Sequence, residues 1–240
     1  NGETAEVVAD RYRITRAECD AFAVQSHRKT ADAWNRGAFD EQIVPVTIKQ
    51  KKKEDLIITK DQIYRENCTV ESLAKLPGSF RKDGVSTAGN SSPLTDGAAC
   101  VVMMTKEKTE QAGCEILGYF KQFVSVGLEP QIMGMGPYYA VKKMLKETGF
   151  TMDDIDLIEI NEAFASQSVA CIKLLKKECG LEESKVNVNG GAIAIGHPFG
   201  ASGAILTARM LYALKERSLK RGIITFCVGA GLGVAMLVER

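Results

Sequence analysis

The sequence predicts a layered α/β fold with one complete strand–helix half at its C-terminal end. Two observations predict it. Apolar runs of strand length alternate with helix-compatible runs after residue 115, and the last two strands are joined by a short glycine-rich turn. The predicted strands are Glu115–Val126, Ile155–Ile160, Val186–Val188, Gly222–Cys227 and Gly233–Val238, and the predicted helices are 138–148, Glu162–Glu178 and Ala201–Arg217. This alternation favours a largely parallel sheet in which the closing pair is antiparallel, because its turn is too short for a crossover.

Local signals set these boundaries. Pro137 suits the first turn of the helix that follows the loop Met133–Pro137. Gly149 and Gly180 are placed to end the two helices before them.

The first 92 residues predict a loop-rich region. Residues 4–36 predict one helix, with a capping box at Thr15 and Glu18 and with Gly37 at its end. Strands at 42–48 and 55–59 flank Lys49–Lys53, which we interpret as a solvated hairpin tip, with a basic site for a ligand phosphate as the alternative. Further predictions are a short helix at 69–76 and a loop at 82–93, either a connector or the lining of a ligand channel.

Residues 98–113 predict the tail of a second half-sheet. Ala98–Met104 is an apolar run of strand length, and Thr105 is placed to cap a helix that ends near Gly113. No similar complete unit precedes this strand and helix, so we expect the rest of that half upstream of Asn1. The predicted division of the chain is 1–92, 93–114 and 115–240.

Composition excludes several classes of protein. The 240 residues are 45% hydrophobic and 25% charged, as in globular proteins, and the net charge of +1 argues against nucleic acid or an anionic membrane as main partner. Seven cysteines without paired spacing favour reduced thiols in an intracellular compartment over disulfides or a zinc site. The predicted location is the cytoplasm, or in a eukaryote the mitochondrion or peroxisome.

Three chemically capable side chains follow predicted strands. Asn161 comes directly after one strand, Cys227 ends another, and His197 lies in the glycine-rich segment, residues 189–203, before a helix. Ligands of open α/β sheets bind outside the carboxyl ends of strands, so we expect these residues to converge. The alternatives are that Asn161 caps a helix, that Cys227 is a buried small hydrophobe and that His197 is structural.

Four motifs resemble the thiolases, which join or cleave 3-ketoacyl-CoA thioesters. The motifs are Thr87–Ser92 with Asp96–Ala99, Asn161–Ala165, Gly190–Pro198 with Gly200–Gly203, and Cys227–Gly233. The resemblance extends from Gly2 to the end and implies a thiolase-like α-β-α-β-α layered fold. In it, 1–92 would form a loop domain over CoA, 93–114 the tail of the N-terminal half and 115–240 the C-terminal half. Ketoacyl synthases share the fold but use two histidines where this chain has Asn161 and Cys227.

The resemblance implies a role for each site residue. Cys227 matches the acid/base cysteine, whose thiol needs only a modest pKa shift to transfer protons near neutral pH. His197 matches the histidine that activates the nucleophilic cysteine and helps to bind the thioester oxygen. Asn161 matches the residue that orients a water in that oxyanion site, and the N–H of Gly229 matches a donor to a second oxyanion site. The glycines would let the thioester approach these N–H groups.

Further matches concern CoA, which is expected as substrate, with no tightly bound cofactor and no metal. The nucleotide and pantetheine positions are Arg65, Ser72, Phe80, Ala88 and Ser92, and the acyl positions are Met133, Ala163 and Phe164. Pro93 and Ala230 stand where glycine is frequent in the family.

The family's nucleophilic cysteine is missing. No cysteine of this chain has a context like Cys-Gly-Ser-Gly. The sequence is therefore interpreted as the C-terminal part of an acyltransferase, inactive alone, with the N-terminal half in cis or as a separate chain. The complete protein would bind CoA thioesters and form a homodimer or tetramer. The alternative is a non-catalytic acyl-CoA or lipid-binding module.

Overall fold

A four-stranded sheet with helices on both faces forms the C-terminal half of the chain, and the computed structural model describes all residues from 1 to 240. The helices are α1 (Gly2–Tyr12), α2 (Arg16–Asn35), α3 (Val70–Ala74), α4 (Lys106–Gln111), α5 (Gly136–Thr148), α6 (Ala165–Cys179), α7 (Ala192–Ile195) and α8 (Ser202–Arg217). The strands are β1 (Val46–Ile48), β2 (Leu56–Ile58), β3 (Tyr119–Gly127), β4 (Leu157–Ile160), β5 (Arg221–Val228) and β6 (Leu232–Glu239). None of the helices combines the length and apolarity needed to cross a bilayer.

The sheet is mixed, and the expectation of a largely parallel sheet is wrong. Its strand order is β3-β6-β5-β4, with β4 and β5 parallel and the other two pairs antiparallel. The cause is the hairpin of β5 and β6, predicted as antiparallel and confirmed. It puts β6 between β5 and β3, where β6 runs against both neighbours.

The predicted strand Val186–Val188 is reduced to one parallel bridge between Val186 and Ile158. Asn187 leaves the extended conformation, with φ of 45°. Its side-chain amide then takes the place of backbone pairing, because Oδ1 accepts from the N–H of Ile160 at 2.8 Å and Nδ2 donates to its carbonyl at 2.9 Å. An amide side chain therefore continues the sheet edge where the backbone turns away.

Two apolar cores hold the layers together. On one face of the sheet, α5 and α6 pack on the strands, and α1 and α2 pack on α6. On the other face, Leu206, Met210 and Leu214 of α8 pack on Leu157, Ile224 and Val238. Strand β4 is buried on both faces, so buried and exposed residues do not alternate along it, and even Glu159 is buried.

The predicted helix over 4–36 is two helices. Arg13 adopts a left-handed conformation with φ of 53°, which ends α1. Thr15 then caps α2 in a capping box with Glu18, as predicted. A capping box belongs at a helix start, so the signal that supported one helix in fact marked the break.

The predicted strand Ala98–Met104 is absent. These residues have no regular secondary structure, Cys100 lies in no strand, and the side chains are open: Val102 is 76% exposed and Met103 73%. A strand is stable when its backbone groups are paired, and no other segment of this chain pairs with these residues. Thr105 does cap α4 as predicted, since its hydroxyl accepts from the N–H of Lys108.

The hairpin of β1 and β2 is confirmed, with Val46 paired to Ile58 and Ile48 to Leu56. Its lysine tip is exposed, and Lys49 forms an ion pair with Asp55 at 2.6 Å. The tip is therefore solvated, as expected for a run of like charges.

Candidate functional site

Asn161 and His197 meet at the carboxyl edge of the sheet. The N–H of Asn161 donates to the carbonyl of Thr225 at 2.9 Å, which extends the parallel pairing of β4 and β5 by one residue. Its buried side chain places Nδ2 3.3 Å from Nε2 of His197. The alternative that Asn161 caps the following helix is wrong, because α6 begins at Ala165 with Phe164 as its cap residue.

Cys227 lies at the same edge. Ile160 pairs with Thr225, so Asn161 stands beside Phe226, and Cys227 is the next residue along β5. Two parallel strands thus deliver an amide and a thiol to neighbouring positions, and the amide contacts the imidazole. The predicted convergence of Asn161 with His197 is a direct contact. For Cys227 the register shows only that its backbone lies at the same edge, one residue beyond the position beside Asn161.

Ser202, which the sequence did not single out, sets the protonation of His197. The Ser202 hydroxyl lies 2.6 Å from Nδ1 of His197 and 3.0 Å from the carbonyl of Pro198. Nδ2 of Asn161 can only donate, so Nε2 beside it accepts and the ring hydrogen lies on Nδ1, which donates to Ser202 while Ser202 donates to the carbonyl of Pro198. Nε2 then holds the lone pair. Burial lowers the pKa of His197, which favours this neutral form. The available signal was a hydroxyl five residues after the histidine.

The pKa of the Cys227 thiol is raised, whereas proton transfer near neutral pH would be helped by a lower value. Cys227 keeps part of its surface exposed, yet burial raises the pKa of its thiol to about 11. This direction does not support the expectation that a modest shift suffices, which stays a prediction for the complete site. A protonated thiol is ready to donate a proton, whereas it acts as a base only after it has lost that proton and become a thiolate.

Most glycines of the glycine-rich segment are explained by packing, not by ligand approach. A Cβ at Gly190 would meet Thr30, one at Gly191 would meet the Glu162 carboxylate and one at Gly196 would meet Thr95, all within 2.6 Å. Gly229 differs, because a Cβ there would enter open space and its φ is not positive. Nothing in the chain requires glycine at 229, so its role beside a ligand stays a prediction.

The turn after Cys227 contains a strained residue. Ala230 lies between Gly229 and Gly231 with φ of 66°, a left-handed conformation that costs an L-residue about 1–2 kcal/mol. We expect Ala230→Gly to stabilise the protein by about 0.5–1 kcal/mol after the added flexibility of glycine in the unfolded chain is subtracted. This corresponds to a rise in Tm of about 2 °C in differential scanning calorimetry. The control Ala208→Gly, inside α8, should lose about 1 kcal/mol, and a lower Tm for Ala230→Gly would contradict the prediction.

Several residues assigned to CoA and the acyl group form a second group of contacts. The N–H and hydroxyl of Ser92 both donate to the carbonyl of Ala163 at 3.0 Å. Phe164 packs edge-on against Phe80, with ring centroids 5.8 Å apart. Met133 is buried in the 3-10 segment Pro130–Met135 just before α5. Loop 82–93 is thus attached to the residues that follow Asn161.

Arg65, Ser72 and Ala88 do not join these contacts. The segment with Arg65 and Ser72 packs on α2, and all three residues are exposed. The Ser72 hydroxyl donates to the carbonyl of Thr69 at 2.7 Å within the capping box of α3. A structural role therefore accounts for Ser72, and the structure brings neither it nor Arg65 next to His197.

His27 accepts a hydrogen bond from the Arg65 backbone. Because the pKa of His27 is lowered, we expect the free energy of unfolding to fall in acid. The ring Nδ1 accepts from the N–H of Arg65 at 3.2 Å, and burial, with a smaller effect of the Arg65 charge, lowers the pKa of His27 to about 4. The folded state keeps His27 neutral while the unfolded state gains a proton below about pH 6.5, so its stabilisation is present above pH 6.5 and lost toward pH 4. Between pH 7 and 4.5 we expect a loss of about 2 kcal/mol from this residue in urea unfolding. His27→Asn should lose less over that range, and an equal loss would contradict the assignment.

A cavity of 240 Å³ opens beside His197. It is lined by Leu94, Thr95, Asp96, His197 and Phe199. The exposed face of the histidine is therefore accessible from the side of residues 94–96.

Two family models match the chain. The model described as the thiolase N-terminal domain matches residues 1–107, and the one described as the thiolase C-terminal domain matches residues 114–240. The chain is 45% identical over 239 residues to an acetyl-CoA acetyltransferase of Chromobacterium violaceum. It is 44% identical over 246 residues to the peroxisomal 3-ketoacyl-CoA thiolase 1 of Arabidopsis thaliana. Each alignment uses 100% of this chain and, respectively, 60% and 55% of the relative.

Solved structures of similar proteins superpose closely on this chain. The acetyl-CoA acetyltransferase of Bacillus anthracis superposes with a TM-score of 0.93 at 44% identity, covering 99% of this chain and 59% of that chain. The human mitochondrial 3-ketoacyl-CoA thiolase in complex with CoA superposes with a TM-score of 0.88 at 36% identity, covering 99% and 58%. The chain thus spans about three fifths of the length of the proteins it matches.

Proposed function

This chain belongs to the thiolase family, and we propose that it is the C-terminal part of an acyltransferase acting on CoA thioesters. The reaction is the condensation of an acyl-CoA with acetyl-CoA, or the reverse thiolysis of a 3-ketoacyl-CoA. The observation that carries the proposal is the contact of Asn161 with His197 at 3.3 Å, beside β5, in which Cys227 is the penultimate residue.

Each site residue has its own role in the proposed reaction. A neutral His197 accepts the proton of the nucleophilic cysteine at Nε2, whose lone pair faces Nδ2 of Asn161 in this chain, and with Asn161 it then provides hydrogen-bond donors for the thioester oxygen. Cys227 exchanges the second proton, with the methyl group of acetyl-CoA or with the CoA thiol. The N–H of Gly229 donates to a second oxyanion site, distinct from that of His197 and Asn161, and the open space at this glycine supports that role.

The binding residues follow the same proposal. Met133, Ala163 and Phe164 surround the acyl end, and Ser92 with Phe80 continues toward the pantetheine, which their mutual contacts support. Ala88, Ser72 and Arg65 lie further along, toward the nucleotide. CoA or acyl-CoA is a substrate here, not a tightly bound cofactor.

The complete protein needs a second segment. We propose the division 1–92, 93–114 and 115–240, with the upstream thiolase half supplying the nucleophilic cysteine in cis or as a separate chain. The exposed run at 98–104 is consistent with such a partner. We further propose a homodimer or tetramer of the complete protein and a reducing compartment, which the seven free cysteines support.

The test is acetoacetyl-CoA thiolysis by the purified 240-residue chain, alone and with a nucleophile-bearing N-terminal thiolase segment. We expect no turnover by the chain alone and turnover with the segment. Activity of the chain alone, or none with a folded complex, would contradict the proposal.

A non-catalytic acyl-CoA-binding module is the second candidate, and the open space at Gly229 would serve it as well. Calorimetry with CoA on wild type and His197→Ala, combined with the turnover assay, separates the two. A binder would lose affinity in His197→Ala only if the imidazole contacts the ligand, and it would show no turnover in any complex.

A further inference from the structure

The carboxylate of Glu162 is buried between the site and the core. The side chain is 1% exposed and directly follows Asn161. It accepts three hydrogen bonds: from the Ser26 hydroxyl at 2.6 Å, from Nδ2 of Asn187 at 2.8 Å and from the N–H of Ile193 at 3.2 Å. All three partners donate, which suits a carboxylate that only accepts.

These three bonds connect separate parts of the fold. Ser26 belongs to α2 and Asn187 continues the edge of β4. Ile193 belongs to α7, three residues before Gly196 and four before His197. Ser26 also accepts from the N–H of Gly191 at 3.1 Å. A Cβ at Gly191 would lie 2.2 Å from the carboxyl carbon of Glu162, so the glycine-rich segment is folded closely around this carboxylate.

Two cationic side chains, Lys29 and Arg209, donate hydrogen bonds to backbone carbonyls of residues 186–190. Nζ of Lys29 donates to the carbonyl of Val186 at 2.9 Å. Arg209 is buried and donates to the carbonyls of Asn189 at 2.6 Å and Gly190 at 2.9 Å. Burial raises the pKa of Glu162, while the donors to its carboxylate and the charge of Arg209 act in the opposite direction. The charge of Glu162 thus lies among groups that compensate it.

We propose that Glu162 is a positioning residue that fixes the glycine-rich segment to the end of β4 and so sets the separation of His197 from Asn161. The geometry explains how. Asn161 and Glu162 are adjacent in sequence, and the carboxylate ties their strand end to the helix that leads into His197. The catalytic consequence rests on the proposed function, whereas the placement of His197 does not.

The test replaces Glu162 with glutamine, which keeps the volume but turns one acceptor into a donor that faces other donors. Nitrogen-15 NMR of the 240-residue chain reports on His197 directly, because the chain has only two histidines. We expect wild-type His197 to be one tautomer with hydrogen on Nδ1. In Glu162→Gln we expect a mixture of tautomers, since the segment that carries His197 would no longer be held in register with Asn161, whose Nδ2 lies against Nε2 of the ring.

In the complete protein, kcat for thiolysis should fall by on the order of 10²-fold with little change in KM, because a misplaced group affects chemistry more than binding. The matched control is Glu159→Gln, an equally buried glutamate on β4 that makes no hydrogen bond to the segment. Its His197 signals and kcat should match wild type.

Three outcomes would overturn the proposal: unchanged His197 signals in a folded Glu162→Gln, unchanged kcat, or equal effects from Glu159→Gln. If Glu162→Gln does not fold, Ser26→Ala removes one donor and should shift His197 in the same direction by less; no shift there would also overturn it. A wild-type protein without thiolase activity but with the expected NMR change would reject the proposed function and keep Glu162 as the positioning residue.

Discussion

Replacing His197 by alanine in the complete protein is expected to lower kcat for acetoacetyl-CoA thiolysis by on the order of 10³-fold. The variant loses both the base at Nε2 and a donor for the thioester oxygen, each of which contributes about 10²-fold or more in comparable sites. Asn161→Ala removes one donor group and should cost about 10²-fold. Steady-state kinetics measures both, with Asn67→Ala, an exposed amide, as the control that stays at wild-type rate.

Ser202→Ala tests the tautomer within the same experiment. Without the Ser202 oxygen, Nδ1 loses its partner and hydrogen can move to Nε2, where it blocks proton acceptance. We expect kcat to fall by about tenfold and the acid limb of the pH profile of kcat to be displaced. A His197→Ala variant within tenfold of wild type would contradict the assignment of His197 as the base.

The parts of this fold that sequence predicts well are those set by neighbours along the chain. Pro137 and Gly149 bound α5, and the apolar runs of β5 and β6 with a short turn between them require a hairpin. Capping boxes behave in the same way: the pair Thr15 and Glu18 was recognisable because both partners lie within one turn.

The errors have a common cause, which is pairing over long distances. The run 98–104 has strand composition, but a strand forms only where another backbone pairs with it, and here none does. Whether β6 runs parallel or antiparallel to its neighbour β3 depends on the order of the strands in the sheet, and composition does not determine that order.

The same limit applies to the site. The contact of Asn161 with His197 was predictable because strand ends in an α/β sheet converge, and the same rule places Cys227 at that edge. The partners that fix them were not. Ser26 and Glu162 are 136 residues apart, and the need for glycine at 191 appears only once that carboxylate is in place.

The second large effect concerns Cys227 and its pH dependence. If Cys227 removes a methyl proton from acetyl-CoA, the electron pair moves to the thioester oxygen and the proton bonds to sulfur. A thiol with a pKa of about 11 is almost entirely protonated at pH 7. The thiolate fraction then rises about tenfold per pH unit, and so should the rate of exchange of methyl hydrogen for solvent deuterium between pH 7 and 9.

The measurement is NMR of acetyl-CoA in deuterated buffer with the complete protein. Cys227→Ser should slow exchange by at least about 10²-fold, because a hydroxyl is a weaker acid than a thiol and yields less base. The buried Cys171→Ser is the matched control and should keep the wild-type pH slope. A rate that is flat from pH 7 to 9 would mean that substrate or the upstream half lowers the pKa of Cys227 in the assembled site.

The upper limit of pH 9 follows from stability. Burial also raises the pKa of Cys19 and Cys171 to about 12. The folded state holds these protons while the unfolded state releases them, so the stabilisation is complete below the ordinary thiol pKa and disappears as the pH rises toward 12. Exchange rates taken above pH 9 would mix chemistry with unfolding, whereas between 7 and 9 the slope reports on Cys227 alone.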